Sequence, residues 1–299
     1  HIGMGKHTFK EWLIATRPWS FPASAMPVIV TCVYLYGTYT QINWLNGLWA
    51  LVNIIVFHAA GNTWSDYLDY RKGVDTPDSF GVKTLTSGQF TANEIRRLSL
   101  WLLGISILLG TGLLLRTGWT LLGIGIGGIL CTLLYPWLKY RAFGDVVIFM
   151  AYALLPTWGT SYVLTGTVHM QVLWLAVPVG LITVAILHAN NTRDVKTDKC
   201  ACIKTLAMQT GNTVAKYIYA AEVLLPFLWM AAGVVLGHFP LWSLLTFVVL
   251  PLAVGNVKLM WASADGKTDV IARLDEKTAQ LQLAFSFVLS ITFLIAVWV

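Results

Sequence analysis

The sequence predicts an all-α polytopic membrane protein, and composition, apolar windows and charge distribution each support that prediction. Hydrophobic residues make up 57% of the 299 residues, and charged residues make up 11%. A soluble domain is about 25% charged, so this chain has too few ionic groups to cover a soluble surface. The composition therefore excludes an ordinary cytosolic enzyme, a disordered chain and a nucleic-acid-binding arm.

Long windows almost free of charge predict nine membrane spans, because one transmembrane helix needs about 20 apolar residues. Three windows are long enough for two helices each: 18–65, 146–192 and 217–257, the last with one acid. Three windows hold one helix each: 98–115, 117–138 and 278–299. A turn-forming stretch divides each long window: Gly37–Asn43, Thr165–His169 and Gly237–Pro240.

The charged residues between these spans predict the orientation. With nine spans, 19 of the 20 Lys and Arg residues lie on one side, and only Arg116 lies on the other. The positive-inside rule makes the crowded side cytoplasmic, with the N-terminus inside and the C-terminus outside. The net charge of +6 then needs no nucleic-acid partner. All acids except Glu222 share the cytoplasmic side, which the rule does not require.

The same segmentation predicts one domain built from two related halves. Residues 1–4 are expected to be an expression scar with the native start at Met4, and residues 5–299 are expected to form the domain. The predicted boundaries are about 9–140 and 141–262 for the halves and about 278–299 for the ninth helix. The four cysteines are expected to be reduced thiols, because a lone Cys-x-Cys does not supply a zinc site.

A polar cluster ends the second predicted span. Asn62, Asp66 and Asp69 are spaced i, i+4 and i+7, so on a helix they share one face. Asp75 follows as a third acid of the motif or as a loop residue that orders the site. The side chains are hard oxygen donors, the ligand type that Mg²⁺ prefers.

A second polar cluster ends the sixth predicted span, where Asn190, Asp194 and Asp198 again share one helix face. The simpler alternative is two solvated helix ends, although acids at such spacings repel one another unless a cation is present. Because two clusters stand at equivalent places, the sequence favours a Mg²⁺ site that completes its shell with phosphate oxygens.

Basic residues lie in the same loops as the acids. A diphosphate carries more negative charge than one or two Mg²⁺ ions neutralise, and Lys and Arg side chains stabilise a leaving phosphate. The alternative for each of them is a topology signal only. The basic residues in question are Arg71, Lys72, Lys83, Lys139, Arg193 and Lys199.

Four segments resemble the UbiA superfamily of intramembrane prenyltransferases, and in particular its 1,4-dihydroxy-2-naphthoate branch. The resemblance runs from about residue 9 to the C-terminus, and the second acidic motif is its most specific part. At Ser65 the superfamily usually has Asn, so both Asn62 and Ser65 are candidates for that role. The segments are Arg17–Ser24, Asp66–Asp75 with Lys72-Gly73 inside it, Lys139–Asp145 and Asn190–Asp198.

The resemblance implies nine helices around a central cavity and assigns three groups of site residues. The Mg²⁺ ligands would be Asp66, Asp69, Asp194, Asp198 and Asn62. The diphosphate-binding residues would be Lys72, Lys83, Lys139, Arg193 and Lys199. The residues that serve catalysis or hold the acceptor would be Asp75, Asp145, Asn190, Asn191, Tyr67, Tyr140 and Arg17.

The implied activity is Mg²⁺-dependent transfer of a polyprenyl group from a polyprenyl diphosphate to an aromatic acceptor. The favoured acceptor is 1,4-dihydroxy-2-naphthoate, with loss of CO₂, in menaquinone biosynthesis. The site would lie near the cytoplasmic face of a bacterial-type inner membrane, in contact with lipid. Two alternatives remain: the same chemistry with another acceptor, such as 4-hydroxybenzoate, homogentisate or a glyceryl phosphate, and a cation-coupled secondary transporter. The transporter is disfavoured because the acids stand at helix ends.

Overall fold

The computed structural model describes most of the chain, and its regular structure is helical. It describes residues 7–39, 41–73, 84–85, 87–139, 144–194, 206–263 and 267–299, without the side chains of 136, 139, 206–213 and 268. Within these ranges there is no β-strand. The α-helices are α1 Phe9–Ala15, α2 Pro22–Thr38, α3 Trp44–Arg71, α4 Ala92–Thr117, α5 Thr120–Lys139, α6 Gly144–Phe149, α7 Leu155–Thr165, α8 Leu173–Arg193, α9 Leu206–Val235, α10 Leu250–Ala262 and α11 Leu274–Trp298.

Eight helical segments of the described chain are long and apolar enough to cross a membrane. The all-α, multi-pass prediction is therefore confirmed. The remaining predicted span coincides with α5, whose apolar part, Thr120–Tyr135, is shorter than the others. The count of nine and the cytoplasmic N-terminus stay predictions.

The three predicted turns separate helices as expected. Asn43 caps α3 by accepting a hydrogen bond from the backbone N–H of Asn46 at 3.1 Å. Gly166 ends α7 with φ +84°, and Gly237 has φ +81° after α9. Both glycines adopt the left-handed conformation that other residues rarely adopt.

Three local features differ from the expected pattern of plain helices. A π-helix, Met150–Leu154, joins α6 to α7, and a 3₁₀ helix, Leu241–Val249, precedes α10. The last helix starts at Leu274 rather than at about residue 278. Its first turn contains Asp275 and Glu276, which the search for charge-free windows left out although acids favour a helix N-terminus.

Helix packing brings both acidic motifs to the same end of the bundle. The C-terminal end of α3 contacts the chain before α2, where Arg17 lies 3.2 Å from Asp66. The C-terminal end of α8 contacts the start of α11, where Arg193 lies 2.9 Å from Asp275. The start of α2 also contacts α11, because the side-chain amide of Gln282, eight residues after the start of α11, lies 3.5 Å from the carbonyl of Pro22.

Close packing of α8 on the π-helix depends on Gly180. A Cβ atom at this position would lie 2.6 Å from the Phe149 ring and 2.7 Å from the Ala153 methyl group. Because an overpacked core costs about 1–3 kcal/mol, we expect Gly180→Val to lower the melting temperature in detergent. Gly123→Val is the matched control, since its Cβ meets nothing within 4 Å. Equal melting temperatures for the two variants would contradict this interpretation.

Candidate active site

The first acidic motif occupies the last turns of α3. Asn62, Ser65 and Asp69 are buried, at 7%, 7% and 5% exposure, while Asp66 is half-buried. Asn62 and Asp69 of the predicted face are thus buried together with Ser65, whereas Asp66, the third member of that face, is more exposed.

Asn62 holds the N-terminal segment against α3. Its side-chain amide donates to the carbonyl of Thr16 at 2.9 Å and to the Ser20 hydroxyl at 3.0 Å. Arg17 in turn donates to the backbone carbonyl of Asn62 at 3.4 Å. The role of Asn62 in the described contacts is thus to fix the chain that carries Arg17, and its role as a Mg²⁺ ligand stays a prediction.

Arg17 has an unusual backbone conformation beside Asp66. With φ 56° and ψ 64°, it is the one non-glycine residue with positive φ in the described chain. Such conformations cost about 1–3 kcal/mol and cluster at functional sites. Arg17 lies between α1 and the short helix Pro18–Ser20. Its guanidinium nitrogen is 3.2 Å from a carboxylate oxygen of Asp66. Arg17 therefore contacts a predicted metal ligand directly.

Tyr67 and Lys72 have aromatic surroundings. Tyr67 packs against a hydrophobic cluster formed by Ala15, Leu85, Phe90 and Ile95. The Lys72 ammonium lies 3.9 Å from the centroid of the Trp137 ring, which is a cation–π contact. The Arg71 guanidinium lies 6.0 Å from the centroid of the Tyr67 ring, and the role of Tyr67 in catalysis or acceptor binding stays a prediction.

The second acidic motif ends α8 with a buried arginine. Arg193 is 6% exposed, and Asn191 is equally buried. The guanidinium binds both carboxylate oxygens of Asp194, at 2.8 and 3.1 Å, and also donates to the side-chain carbonyl of Asn190. This fork-like, charge-assisted contact fixes the orientation of the carboxylate.

Arg193 also binds the start of α11, which the sequence did not indicate. It donates to Asp275 at 2.9 Å and to the carbonyl of Ala272 at 3.3 Å. A guanidinium has five N–H groups, and five contacts with described residues are made. To bind a diphosphate, Arg193 would have to exchange one of these partners, so that role stays a prediction.

One predicted site residue of the described chain, Asp145, belongs to neither group. Asp145 lies half-buried at the start of α6. Within the described chain, no three acidic, His or Cys side chains are close enough to hold one metal ion together. The predicted residues that lie outside the described residues are Asp75, Lys83, Tyr140, Asp198 and Lys199, together with the side chain of Lys139.

The described donors nevertheless fit Mg²⁺ chemistry. Asp66, Asp69 and Asp194 provide hard carboxylate oxygens at one end of the bundle, and Asn62 and Asn190 add amide groups. Mg²⁺ is usually bound by one or two carboxylates together with substrate phosphates rather than by an all-protein cage. A few carboxylates on two helix ends therefore suit a Mg²⁺–diphosphate complex.

An apolar cavity of about 230 Å³ lies among α3, α4, α5 and α7. Phe57 and Ala151 line it, and their chain neighbours His58 and Tyr152 contact each other with ring centroids 4.8 Å apart. Asp66 lies nine residues beyond Phe57, or about 14 Å along α3 at about 1.5 Å per residue. The cavity is thus at membrane depth below the first motif.

Comparison with known proteins gives consistent matches over nearly the whole chain. The sequence profile of the UbiA prenyltransferase family matches residues 24–283. A 1,4-dihydroxy-2-naphthoate octaprenyltransferase of Bacillus subtilis (strain 168) is 28% identical over 286 residues, which cover 94% of this chain and 91% of the relative. UbiA prenyltransferase domain-containing protein 1 of Danio rerio is 31% identical over 278 residues, which cover 91% and 80%.

Solved structures share the fold. The apo structure of a UbiA homolog from Aeropyrum pernix K1 matches with a TM-score of 0.69 and 13% identity, over 91% of this chain and 97% of that one. A UbiA homolog from Archaeoglobus fulgidus bound to GPP and Mg²⁺ matches with a TM-score of 0.63 and 14% identity, over 93% and 99%.

Proposed function

Because the chain belongs to the UbiA prenyltransferase family, we propose that it is the enzyme that prenylates 1,4-dihydroxy-2-naphthoate with loss of CO₂. Prenyl transfer itself follows from the family and from the relatives named as prenyltransferases. The acceptor is the proposed part, and it is supported by the Bacillus subtilis relative and by the motif Asn190–Asp198. The pathway would be menaquinone biosynthesis in a bacterial-type inner membrane.

The structural observation that supports metal-dependent prenyl transfer is the pairing of each described motif with a buried or strained arginine at one end of the bundle. Arg17 holds Asp66 and Arg193 holds Asp194. Carboxylates held in this way are oriented before a substrate arrives, which lowers the reorganisation needed in the transition state.

In the proposed reaction, the C–O bond between the allylic carbon and the diphosphate breaks, and the diphosphate leaves with the electron pair. Mg²⁺ would supply Lewis-acid stabilisation of that leaving group. Asp66, Asp69 and Asp194 would hold the ion. Lys72 and the basic residues of the loops would stabilise the diphosphate charge.

The acceptor then forms the new C–C bond. Its electron-rich ring attacks the allylic carbon, and the carboxylate leaves as CO₂ while its bonding electrons return to the ring. Asp145 would accept a proton from an acceptor hydroxyl and return it to that oxygen once CO₂ has left, or it would bind a loop lysine. The helices exclude water, which would otherwise capture the allylic cation. The apolar cavity beside Phe57 would take the prenyl chain.

The proposal is tested with purified protein in lipid nanodiscs, supplied with Mg²⁺, a polyprenyl diphosphate and 1,4-dihydroxy-2-naphthoate. Mass spectrometry is expected to find a prenylated naphthoquinol that lacks the carboxylate, and EDTA is expected to abolish it. Parallel reactions with 4-hydroxybenzoate, homogentisate and a glyceryl phosphate provide the acceptor control. Product with one of these and none with the naphthoate would contradict the acceptor and keep the prenyltransferase chemistry.

A further inference from the structure

We propose that Asp275 is a positioning residue for the second acidic motif and acts through Arg193 on the carboxylate of Asp194. The inference rests on the proposed function, because it assigns Asp275 an effect on Mg²⁺ binding. Asp275 itself would touch neither the ion nor the substrates. It lies 82 positions from Arg193 in sequence and belongs to a different helix.

The three side chains form a continuous chain of charge-assisted hydrogen bonds. Asp275 accepts from one terminal nitrogen of Arg193 at 2.9 Å, while the Nε and the other terminal nitrogen of Arg193 bind the two oxygens of Asp194 at 2.8 and 3.1 Å. The guanidinium is planar and rigid. Because the Asp275 carboxylate holds one edge of the guanidinium, it also fixes the plane in which the Asp194 oxygens are bound.

The charges of the three groups also favour a cation beside Asp194. One arginine between two aspartates leaves a net charge of −1, whereas Arg193 and Asp194 alone would be neutral. Asp275 thus balances the charge of the buried guanidinium. Without Asp275, only Asp194 would neutralise the guanidinium, and the guanidinium would compete with a metal ion for the Asp194 carboxylate. Buried charges need such partners, because removing one partner leaves an uncompensated charge.

Asp275 is well placed to act as a rigid support. Its second oxygen accepts from the backbone N–H of Glu276 at 2.9 Å. The neighbouring Leu274 is 1% exposed within the largest hydrophobic cluster. The carbonyl of Ala272 gives Arg193 a second contact in the same segment. Ala272, just before α11, and Asp275, in its first turn, therefore hold Arg193 at two points, and Leu274 fixes this segment in the core.

Outer partners of metal ligands commonly change metal affinity or activity by about 10–100-fold when they are removed. We therefore expect Asp275→Asn to weaken Mn²⁺ binding by about that factor. The measurement is electron paramagnetic resonance of Mn²⁺ titrated into nanodisc protein with inorganic diphosphate. The Mg²⁺ concentration for half-maximal prenyl transfer is expected to rise in parallel.

Glu276→Gln is the matched control. Glu276 is adjacent in sequence and in the same first turn, but its side chain is 52% exposed and pairs with Arg273, which is 79% exposed. This variant is expected to bind Mn²⁺ like the wild type. Asp275→Glu keeps the charge and displaces it by one methylene group, so its affinity should fall between those of the wild type and Asp275→Asn.

The outcomes separate this inference from the proposed function. Wild-type Mn²⁺ affinity in Asp275→Asn, with an active wild-type enzyme, overturns the positioning role and leaves the function intact. If Asp275→Asn does not elute as a folded protein, Asp275→Glu decides, and wild-type affinity there has the same meaning. If the wild type shows no Mg²⁺-dependent prenyl transfer to any acceptor, the proposed function is wrong, whatever the variants show.

Discussion

Replacing Asp194 by asparagine is expected to lower Mg²⁺-dependent prenyl transfer by about 10²–10³-fold, or about 3–4 kcal/mol of transition-state stabilisation. Asparagine has nearly the same shape, but it lacks the negative charge that would bind the ion and the second oxygen that accepts from Arg193 at 3.1 Å. Asp66→Asn is expected to act in the same way, because Asp66 is the equivalent acid of the first motif. Initial rates at saturating prenyl diphosphate, measured over a range of Mg²⁺ concentrations, would test both variants.

Asp269→Asn is the matched control for this prediction. Asp269 lies just before α11, close in sequence to the segment that Arg193 contacts, but it is exposed. The loss of a charge at this end of the bundle should therefore leave the rate unchanged. If Asp66→Asn and Asp194→Asn both retain wild-type turnover, the acidic motifs do not bind the catalytic metal, and the prenyltransferase mechanism described above is wrong for this chain.

The helical architecture could be predicted because the bilayer leaves a strong signal in sequence. A lipid-embedded backbone must satisfy its hydrogen bonds within a helix, so windows without charge become helices. The turns at Gly37–Asn43 and Thr165–His169 followed from glycine and polar residues between such windows. The face shared by Asn62 and Asp69 followed from helical periodicity, and both residues are buried in the structure.

The contacts of the arginines could not be predicted in the same way. Periodicity relates residues within one helix, whereas Arg193 meets Asp275 across 82 positions. The sequence predicted Arg193 as a diphosphate ligand, and it gave no role to Asp275, which precedes the charge-free window 278–299. The signal that could have indicated Asp275 was an acid in the first turn of the last helix, near the same predicted membrane face.

The backbone irregularities could not be predicted from the sequence pattern either. The left-handed conformation of Arg17 precedes a Pro-containing turn, and proline restricts the residue before it, but no rule fixes it at φ 56°. The π-helix Met150–Leu154 has the apolar composition of any membrane helix. Ala151, the second residue of this π-helix, lines the apolar cavity, so the shape of that cavity depends on a backbone feature that composition does not reveal.

Filling the apolar cavity is expected to change the length of prenyl chain that the enzyme accepts. Gly125 lines the cavity, and a Cβ atom at this position would meet nothing within 4 Å. A phenylalanine ring at Gly125 would therefore enter open space and occupy part of the volume of about 230 Å³. With a mixture of short and long prenyl diphosphates, we expect Gly125→Phe to lower the ratio of long-chain to short-chain product by about 10–100-fold, since a few lost apolar contacts amount to about 1–3 kcal/mol.

Gly123→Phe separates this effect from any general effect of a large side chain on α5. Gly123 lies two residues away on the same helix, does not line the cavity, and likewise has nothing within 4 Å of its Cβ position. Both variants replace a helical glycine, so both gain similar helix propensity. Competition assays read by mass spectrometry should therefore show the wild-type product ratio for Gly123→Phe. A wild-type ratio for Gly125→Phe as well would mean that the prenyl chain lies elsewhere among the helices, and that this cavity has no part in chain-length selection.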